Sequence, residues 1–323
     1  LRNDKNNIKF YNLIIQVKEI YDKNPSIDLL NSFYSEFVRY GNKDSSKKGI
    51  VLTPDHIVKL MVKLLNLNKD DIVLDLCTGT GSFLLESNKF NIKKLIGIEY
   101  ENKLFTLLKC NLILRDIKNY EIFKDDCFDV KCKATKSIIN PPYGMKGSNE
   151  WDFILKQLES IEEGGLACSI IPIGRVTNNT YKKEVLSKCK ILYIIKCNTN
   201  LFYPNASTQT CILLLEKNKN GNTDNLTKFI DYSDDGIELK RGNGLVKTDS
   251  FDSKYNNALN RFDEIELTEK NEWWFNTELD EILNLTSLRL YKIELEYQKN
   301  KKDKIKNFNL IEFNKSRDYK ISD

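Results

Sequence analysis

The chain is nearly without histidine. His56 is the single one in 323 residues, which leaves no material for a histidine-based nucleophilic triad and little for a zinc centre. No metal is therefore expected. None of the eight cysteines is spaced as CxxC, so the sequence holds no signature of a zinc knuckle or a dithiol redox pair. Cys77, Cys110, Cys127, Cys132, Cys168, Cys189, Cys197 and Cys211 read instead as free thiols, and Cys168 and Cys211 sit inside apolar runs. That usage fits a reducing compartment, and the cytoplasm is the expected location. No apolar stretch approaches the roughly 18 residues of a membrane span, and the opening LRNDKNNIKF lacks the apolar core of a signal peptide. Internal repeats and long low-complexity tracts are absent as well.

What remains is ordinary globular material, 41% hydrophobic and 30% charged. The length suggests about two domains, one large enough for a full α/β sheet. A net charge of +4 says little by itself. Its placement says more: Lys299 to Lys306 reads KNKKDKIK, and Lys315, Arg317 and Lys320 follow. Such a segment is either a solvated linker or a phosphate contact.

Residues 1–45 carry apolar side chains at helical spacing (Ile14, Val17, Ile20, Tyr21; then Leu29, Leu30, Phe33, Phe37). A small helical N-terminal region is expected there. From residue 46 to 217 the pattern becomes strands alternating with helices. Strands are expected at Ile72–Leu76, Leu95–Ile98, Tyr120–Phe123, Ser137–Ile139, Leu166–Ile171, Ile191–Ile195 and Cys211–Leu215. Helices are expected at Asp55–Leu65, Phe83–Asn88, Lys103–Leu114 and Trp151–Ile161, with His56 as a polar first-turn residue. This alternation predicts a doubly wound, mostly parallel, Rossmann-like α/β sheet. Residues 218–275 read as a mixed extension containing the Trp273-Trp274-Phe275 cluster, taken as packing. Residues 276–323 read as a helix, Leu279–Tyr297, followed by a linker.

The first strand runs into Asp75-Leu76-Cys77-Thr78-Gly79-Thr80-Gly81-Ser82-Phe83. Glycines at a strand-to-helix turn let a ligand approach the backbone at the carboxyl edge, where open α/β sheets bind ligands. The third glycine of a dinucleotide fingerprint is missing, which disfavours a pyrophosphate cradle, and NAD is the competing ligand. Asp75 suits a cationic group, as in the ammonium and sulfonium of S-adenosylmethionine. Glu99 ends the second strand, where a carboxylate takes both hydroxyls of a ribose. Asp126, or alternatively Asp125, follows the third strand and is placed to accept from an adenine amine.

The fourth strand delivers Asn140-Pro141-Pro142-Tyr143 to the same edge. An adenine amine is a poor nucleophile because its lone pair is spread into the ring. Two acceptors, the Asn140 side-chain oxygen and the Pro141 carbonyl, can draw that nitrogen toward tetrahedral geometry. Pro141 and Pro142 stiffen the loop. Tyr143 offers a flat face for an extruded base, worth roughly 1–3 kcal/mol in comparable stacks.

These residues together resemble the gamma-class N6-adenine DNA methyltransferases: the modification subunit of type I restriction systems and the methyltransferase part of fused restriction–modification enzymes. The resemblance spans residues 45 to 217. Gly49-Ile50-Val51-Leu52-Thr53-Pro54 is similar to the family's opening motif, which implies that Thr53 helps bind the methionine end of the cofactor. The glycine-turn motif implies cofactor contacts from Asp75, Gly79, Gly81, Phe83, Glu99 and Asp126. Leu201 to Thr210 (LFYPNASTQT) is similar to a late motif whose aromatic packs on the flipped base, either Phe202 or Tyr203. Leu76-Cys77-Thr78 departs from the family's usual proline-containing stretch, while Asp75 and both glycines are kept. The last residues look like the start of a target-recognition module. The resemblance implies double-stranded DNA as partner, with a specificity subunit or fused recognition domain, a nuclease, and no membrane. Methylation of RNA bases or of a protein glutamine uses the same motif, and an inactive scaffold subunit is the non-enzymatic reading.

Overall fold

The computed structural model describes residues 52–145, 147–177, 182–204, 208–221, 226–241, 244–264 and 276–278, with Glu19 and Lys23. Apart from those two positions, the expectations for residues 1–45 lie outside the described residues. So do Gly49 to Val51, the Trp273-Trp274-Phe275 cluster, the helix Leu279–Tyr297 and the basic C-terminal stretch.

Helix α1 (Asp55–Leu64) comes first, then β1 (Ile72–Asp75), α2 (Ser82–Asn88), β2 (Lys94–Ile98), α3 (Asn102–Leu114) and β3 (Tyr120–Phe123). Strand β4 (Ala134–Ile139), α4 (Glu150–Ser160) and β5 (Ile161–Pro172) follow, then the short helices α5 (Ile173–Thr177) and α6 (Lys182–Lys188). The described chain continues through β6 (Cys189–Lys196), β7 (Thr210–Lys217), β8 (Leu226–Asp231), β9 (Ile237–Lys240), β10 (Gly244–Lys247), α7 (Phe251–Glu264) and β11 (Asn276–Glu278). One sheet takes the order β11-β8-β6-β7-β5-β4-β1-β2-β3, and β9 with β10 forms a separate hairpin. The pairs β1–β2, β2–β3, β1–β4, β4–β5 and β6–β8 are parallel. Strand β7 runs antiparallel between β5 and β6. The expected Rossmann-like, mostly parallel sheet is therefore present, and it continues beyond Lys217 through β8.

The sheet has two covered faces, and its central strands carry apolar side chains on both. Along β7, Ile212 and Leu214 join the cluster formed with α1, α2 and α3, while Cys211, Leu213 and Leu215 join the cluster formed with α4 and α6. On β1 and β4 the same alternation sends Val73 and Ile138 to the first face and Leu74 and Ile139 to the second. Burial pushes the thiols of Cys189 and Cys197 up to about 12, so they pack as small apolar groups.

Local signals explain the helix starts nearest the functional edge. Asn149 caps α4 by accepting from Trp151 N (2.8 Å), and Asp152 accepts from Asn149 N (2.7 Å) in a reciprocal capping box. Such a cap is worth about 1 kcal/mol. It ends the loop that follows Tyr143 at a defined point. Glu101 caps α3 through Lys103 N (2.6 Å) and Leu104 N (2.9 Å). Strand β5 begins at Ile161, directly after α4 and earlier than its apolar run suggests. Gly165 permits this, since a Cβ there would lie 2.5 Å from the Thr135 carbonyl oxygen. Among the described residues no helix is long and apolar enough to cross a membrane.

Candidate active site

Strand order reverses between β1 and β4, which are direct neighbours through Val73–Lys136 and Leu74–Ser137. At that point the helices leave opposite faces of the sheet, so the carboxyl ends of the two strands open a crevice. The turn after β1 and the loop after β4 both lie there. A buried polar chain holds the two strands together below it: Ser137 Oγ donates to the Leu74 carbonyl (2.9 Å), Gln157 Nε2 donates to Ser137 Oγ (3.0 Å), and Ser169 Oγ donates to Gln157 Oε1 (2.5 Å).

The turn after β1 is built around two glycines in left-handed conformation, Gly79 at φ +56° and Gly81 at φ +94°. Thr78 Oγ1 lies 3.0 Å from both the Asp75 and the Ile98 carbonyl oxygens, and Asn111 Nδ2 donates to the Thr80 carbonyl (2.8 Å) from α3. A methyl group on Gly81 would meet Leu108 Cδ1 at 2.7 Å, whereas one on Gly79 would point into open space. Gly97 on β2 supplies a close approach that the glycine spacing of the turn did not announce. Its added Cβ would lie 2.9 Å from Leu84 Cδ1 and 3.0 Å from Thr78 Oγ1.

Three carboxylates follow three strands, as the sequence predicts. Asp75 is fully buried; its Oδ1 accepts from Cys77 N (3.0 Å), and Oδ2 has no hydrogen-bond partner among the described residues. Burial raises the Asp75 carboxyl to about 8, with the nearby Glu99 charge adding to it and the Cys77 N–H opposing it. Glu99 accepts from Gly79 N (2.8 Å) and Glu101 N (2.7 Å), and burial raises its carboxyl as well. Asp126 is half-buried and accepts from Phe128 N (3.0 Å), while Asp125 is exposed and accepts from Asp126 N (2.8 Å). Phe83 is buried in the cluster beneath the turn. Tyr100, next to Glu99, is 73% exposed with Lys124 Nζ 6.0 Å from its ring centroid, a neighbour the sequence reading passed over.

Beyond β4, Asn140 is half-buried and its Nδ2 donates to Thr53 Oγ1 at 3.0 Å, across 87 positions of sequence. Pro141 is buried and Pro142 half-buried. Tyr143 donates its hydroxyl to the Ile170 carbonyl (3.2 Å) and meets Phe202 edge-on, with ring centroids 6.1 Å apart. Of the two aromatics left open by the sequence, Phe202 is 3% exposed and packs on Tyr143, while Tyr203 is 37% exposed. Glu150 is buried; it accepts from Gly144 N (3.2 Å) and pairs with Arg175 Nε (2.7 Å), tying the end of the loop to α5.

His56 is in the first turn of α1 as expected, but it is buried. Its Nε2 lies 3.2 Å from Asp235 Oδ2, and its ring meets Phe251 edge-on. Asp235 Oδ1 also accepts from Asn198 Nδ2 (2.7 Å) and Ile237 N (3.0 Å), and Asn198 Oδ1 accepts from Asn200 N (2.9 Å). One buried carboxylate thus anchors both the helix that follows Thr53 and the loop that carries Phe202. Asp235 and Asn198 had no local signal; the adjacency of the lone histidine to Thr53-Pro54 was the only available hint.

A family model described as N-6 DNA Methylase matches residues 25–150 and 144–288. The chain is 33% identical over 262 residues to the type II restriction enzyme and methyltransferase RM.BcgI of Heyndrickxia coagulans, covering 71% of this chain and 41% of that protein. It is 27% identical to the type I restriction enzyme MjaVIII methylase subunit of Methanocaldococcus jannaschii, covering 68% of this chain and 46% of that protein. The chain therefore spans less than half the length of these two curated relatives. Among solved structures, the modification subunit of a type I restriction enzyme from Vibrio vulnificus superposes with a TM-score of 0.63 at 18% identity, over 82% of this chain and 65% of that one. That likeness concerns the fold.

Proposed function

The chain belongs to the N-6 DNA methylase family, and from that premise we propose that it transfers a methyl group from S-adenosylmethionine to the N6 amine of an adenine in duplex DNA. The observation that carries the reading is the meeting of two motifs at one sheet edge. The glycine turn after β1 and Asn140-Pro141-Pro142-Tyr143 after β4 leave adjacent strands at the point where strand order reverses. The family description and the restriction relatives favour DNA over RNA or a protein glutamine.

The turn fits the cofactor on its own features. Asp75 Oδ2 is a buried acceptor without a partner among the described residues, and the space next to Gly79 is open. Asp75 would receive the cofactor's ammonium, Glu99 the ribose hydroxyls and Asp126 the adenine amine, with Asp125 the alternative. Gly79 and Gly81 would shape the backbone against it, Phe83 supports the turn from the core, and Thr53 would border the methionine end. S-adenosylmethionine supplies a sulfonium-bound methyl group, whose bonding electrons return to sulfur as the amine lone pair forms the new N–C bond.

Asn140 Oδ1 and the Pro141 carbonyl each accept one N–H of the target amine, which concentrates the lone pair on nitrogen. Pro141 and Pro142 hold these acceptors in a stiff loop, so little ordering is left to the moment of reaction. Tyr143, fixed by Ile170 and Phe202, offers a face to a base turned out of the duplex, and Tyr203 flanks it from the surface. The methylated nitrogen is acidic, and its surplus proton leaves through the acceptor at Asn140 or Pro141 to water. Sequence choice belongs to a specificity subunit or fused recognition module, and a nuclease completes a restriction–modification system. Within such a chain, residues 46–217 would hold the motifs of the methyltransferase domain, whose sheet takes in β8 and β11 from the following segments. It would stand between the helical region at 1–45 and the segments at 218–275 and 276–323.

The test is transfer of labelled methyl from S-adenosylmethionine to unmethylated duplex DNA by the full-length protein, supplied with its recognition subunit where that is a separate chain. N6-methyladenine is the expected product, and Asn140→Ala is expected to lower kcat by about 100-fold or more. Equal rates for the variant would remove Asn140 from its role. Preferential labelling of RNA or protein would overturn the substrate, and no transfer at all would favour the scaffold reading.

A further inference from the structure

A carboxamide has two ends of nearly the same shape, one an acceptor and one a double donor. Rotating the Asn140 side chain by half a turn exchanges them at little steric cost. The proposed chemistry tolerates only one arrangement, because an amide that presents its NH2 to an amine offers a donor to a donor. Something outside the Asn140-Pro141-Pro142-Tyr143 loop must therefore hold the plane of the amide. We propose that Thr53 is a positioning residue for Asn140, holding its carboxamide through the Nδ2–Oγ1 hydrogen bond so that Oδ1 faces the target amine. This inference rests on the methyl-transfer reading above and goes beyond the cofactor contact that resemblance assigns to Thr53.

Three observations carry it. The first is the 3.0 Å contact itself, donated by Asn140 Nδ2 to Thr53 Oγ1 from a residue 87 positions away. A hydroxyl can accept or donate, so the contact holds the amide plane, and an arriving N–H donor selects the orientation with Oδ1 outward and Nδ2 on Thr53. The second is that Thr53 stands on a fixed support. It immediately precedes Pro54, whose carbonyl accepts from Ile57 N and Val58 N (both 3.0 Å) as α1 begins. The first turn of that helix is pinned by the buried His56–Asp235 pair at 3.2 Å. The third is that the same Asp235 anchors Asn198, and through it the loop bearing Phe202, which packs on Tyr143. The support of the Asn140 amide and the support of the Tyr143 ring thus share one buried node.

The experiment compares wild type with Thr53→Val, which keeps the shape and removes the hydroxyl, and with Thr53→Ser, which keeps the hydroxyl. Methyl transfer to unmethylated plasmid DNA is measured at saturating S-adenosylmethionine, and S-adenosylhomocysteine affinity is measured separately by calorimetry. Thr53→Val is expected to lower kcat by about 10- to 100-fold, the scale of loss for a misplaced reacting partner. Because kcat is read at saturating S-adenosylmethionine, a weaker cofactor contact alone leaves it unchanged, and thermal unfolding of Thr53→Val should stay within a few degrees of wild type. Thr53→Ser should recover kcat to within about threefold, since the acceptor returns. An unchanged kcat for Thr53→Val overturns the inference while leaving the methyl-transfer reading intact. So does a loss confined to cofactor affinity, which would make Thr53 a cofactor contact alone. A wild-type protein that transfers no methyl group overturns the reading and the inference together.

Discussion

The two glycines of the β1 turn make separable predictions, because the structure gives them different surroundings. Both have left-handed φ values, so an alanine at either position pays a backbone strain of about 1–2 kcal/mol. At Gly79 nothing lies within 4 Å of the added methyl group, and the strain is the whole cost to folding. At Gly81 the methyl would sit 2.7 Å from Leu108 Cδ1, in a fully buried part of the core. Overpacking of that kind adds about 1–3 kcal/mol. Gly81→Ala should therefore destabilise by about 2–5 kcal/mol against about 1–2 for Gly79→Ala. In thermal unfolding that difference corresponds to a fall of roughly 10 °C against roughly 4 °C. Ligand binding should rank the two in the other order among folded molecules. The open space beside Gly79 is where a ligand would approach the backbone, so a methyl group there should weaken S-adenosylhomocysteine by roughly 5- to 150-fold. Calorimetric titration at a temperature where both variants are folded measures this directly. Wild-type affinity in Gly79→Ala, or a Gly81→Ala as stable as Gly79→Ala, would refute these assignments.

Two further outcomes follow from buried carboxylates. Burial raises the Asp75 carboxyl to about 8, so the free protein holds a proton there at neutral pH, and a cationic ligand needs the ionised form. Binding must then release that proton, and affinity for S-adenosylhomocysteine should climb by up to about tenfold per pH unit between roughly pH 6 and 7.5. Asp75→Asn should flatten the slope; a variant that keeps it would show that the proton comes from elsewhere. At the other node, Asp235→Ala would leave the His56 imidazole, the Asn198 amide and the Ile237 N–H without their shared acceptor. The expected loss is about 3 kcal/mol or more in denaturant unfolding. Asp235→Asn, which keeps one acceptor oxygen, should lose less, and a change below about 1 kcal/mol for Asp235→Ala would refute the anchoring role.

The parts of the fold legible in the sequence were those with a local cause. Apolar runs bounded by turns located β1 to β7, because the helix-covered faces of the sheet need apolar side chains, most of all in its central strands. Gly79 and Gly81 marked a turn that needs positive φ. Asn140-Pro141-Pro142-Tyr143 was visible as a rigid loop carrying its own acceptors. What escaped depended on partners far away in the chain. His56 was legible as a polar first-turn residue, but helical position says nothing of what packs over it. Its partner, Asp235, lies 179 positions on. Glu150 stood just ahead of the expected helix with nothing to single it out, although it joins Gly144 to Arg175. Gly97, inside a strand, gave no sign that Thr78 and Leu84 would press against it.

The sequence by itself determined which chemical groups the two motifs carry: the acceptors of Asn140 and Pro141, the ring of Tyr143, and the carboxylates of Asp75 and Glu99. Residue types and the backbone freedom of glycine and proline are local properties. Only the tertiary structure decided how those groups are oriented. It placed Thr53 on the Asn140 amide, chose Phe202 over Tyr203 as the neighbour of Tyr143, and buried Asp75 enough to hold its proton near neutrality. Orientation and desolvation come from contacts between segments tens of residues apart, and such contacts exist only once the sheet has brought its carboxyl edge together.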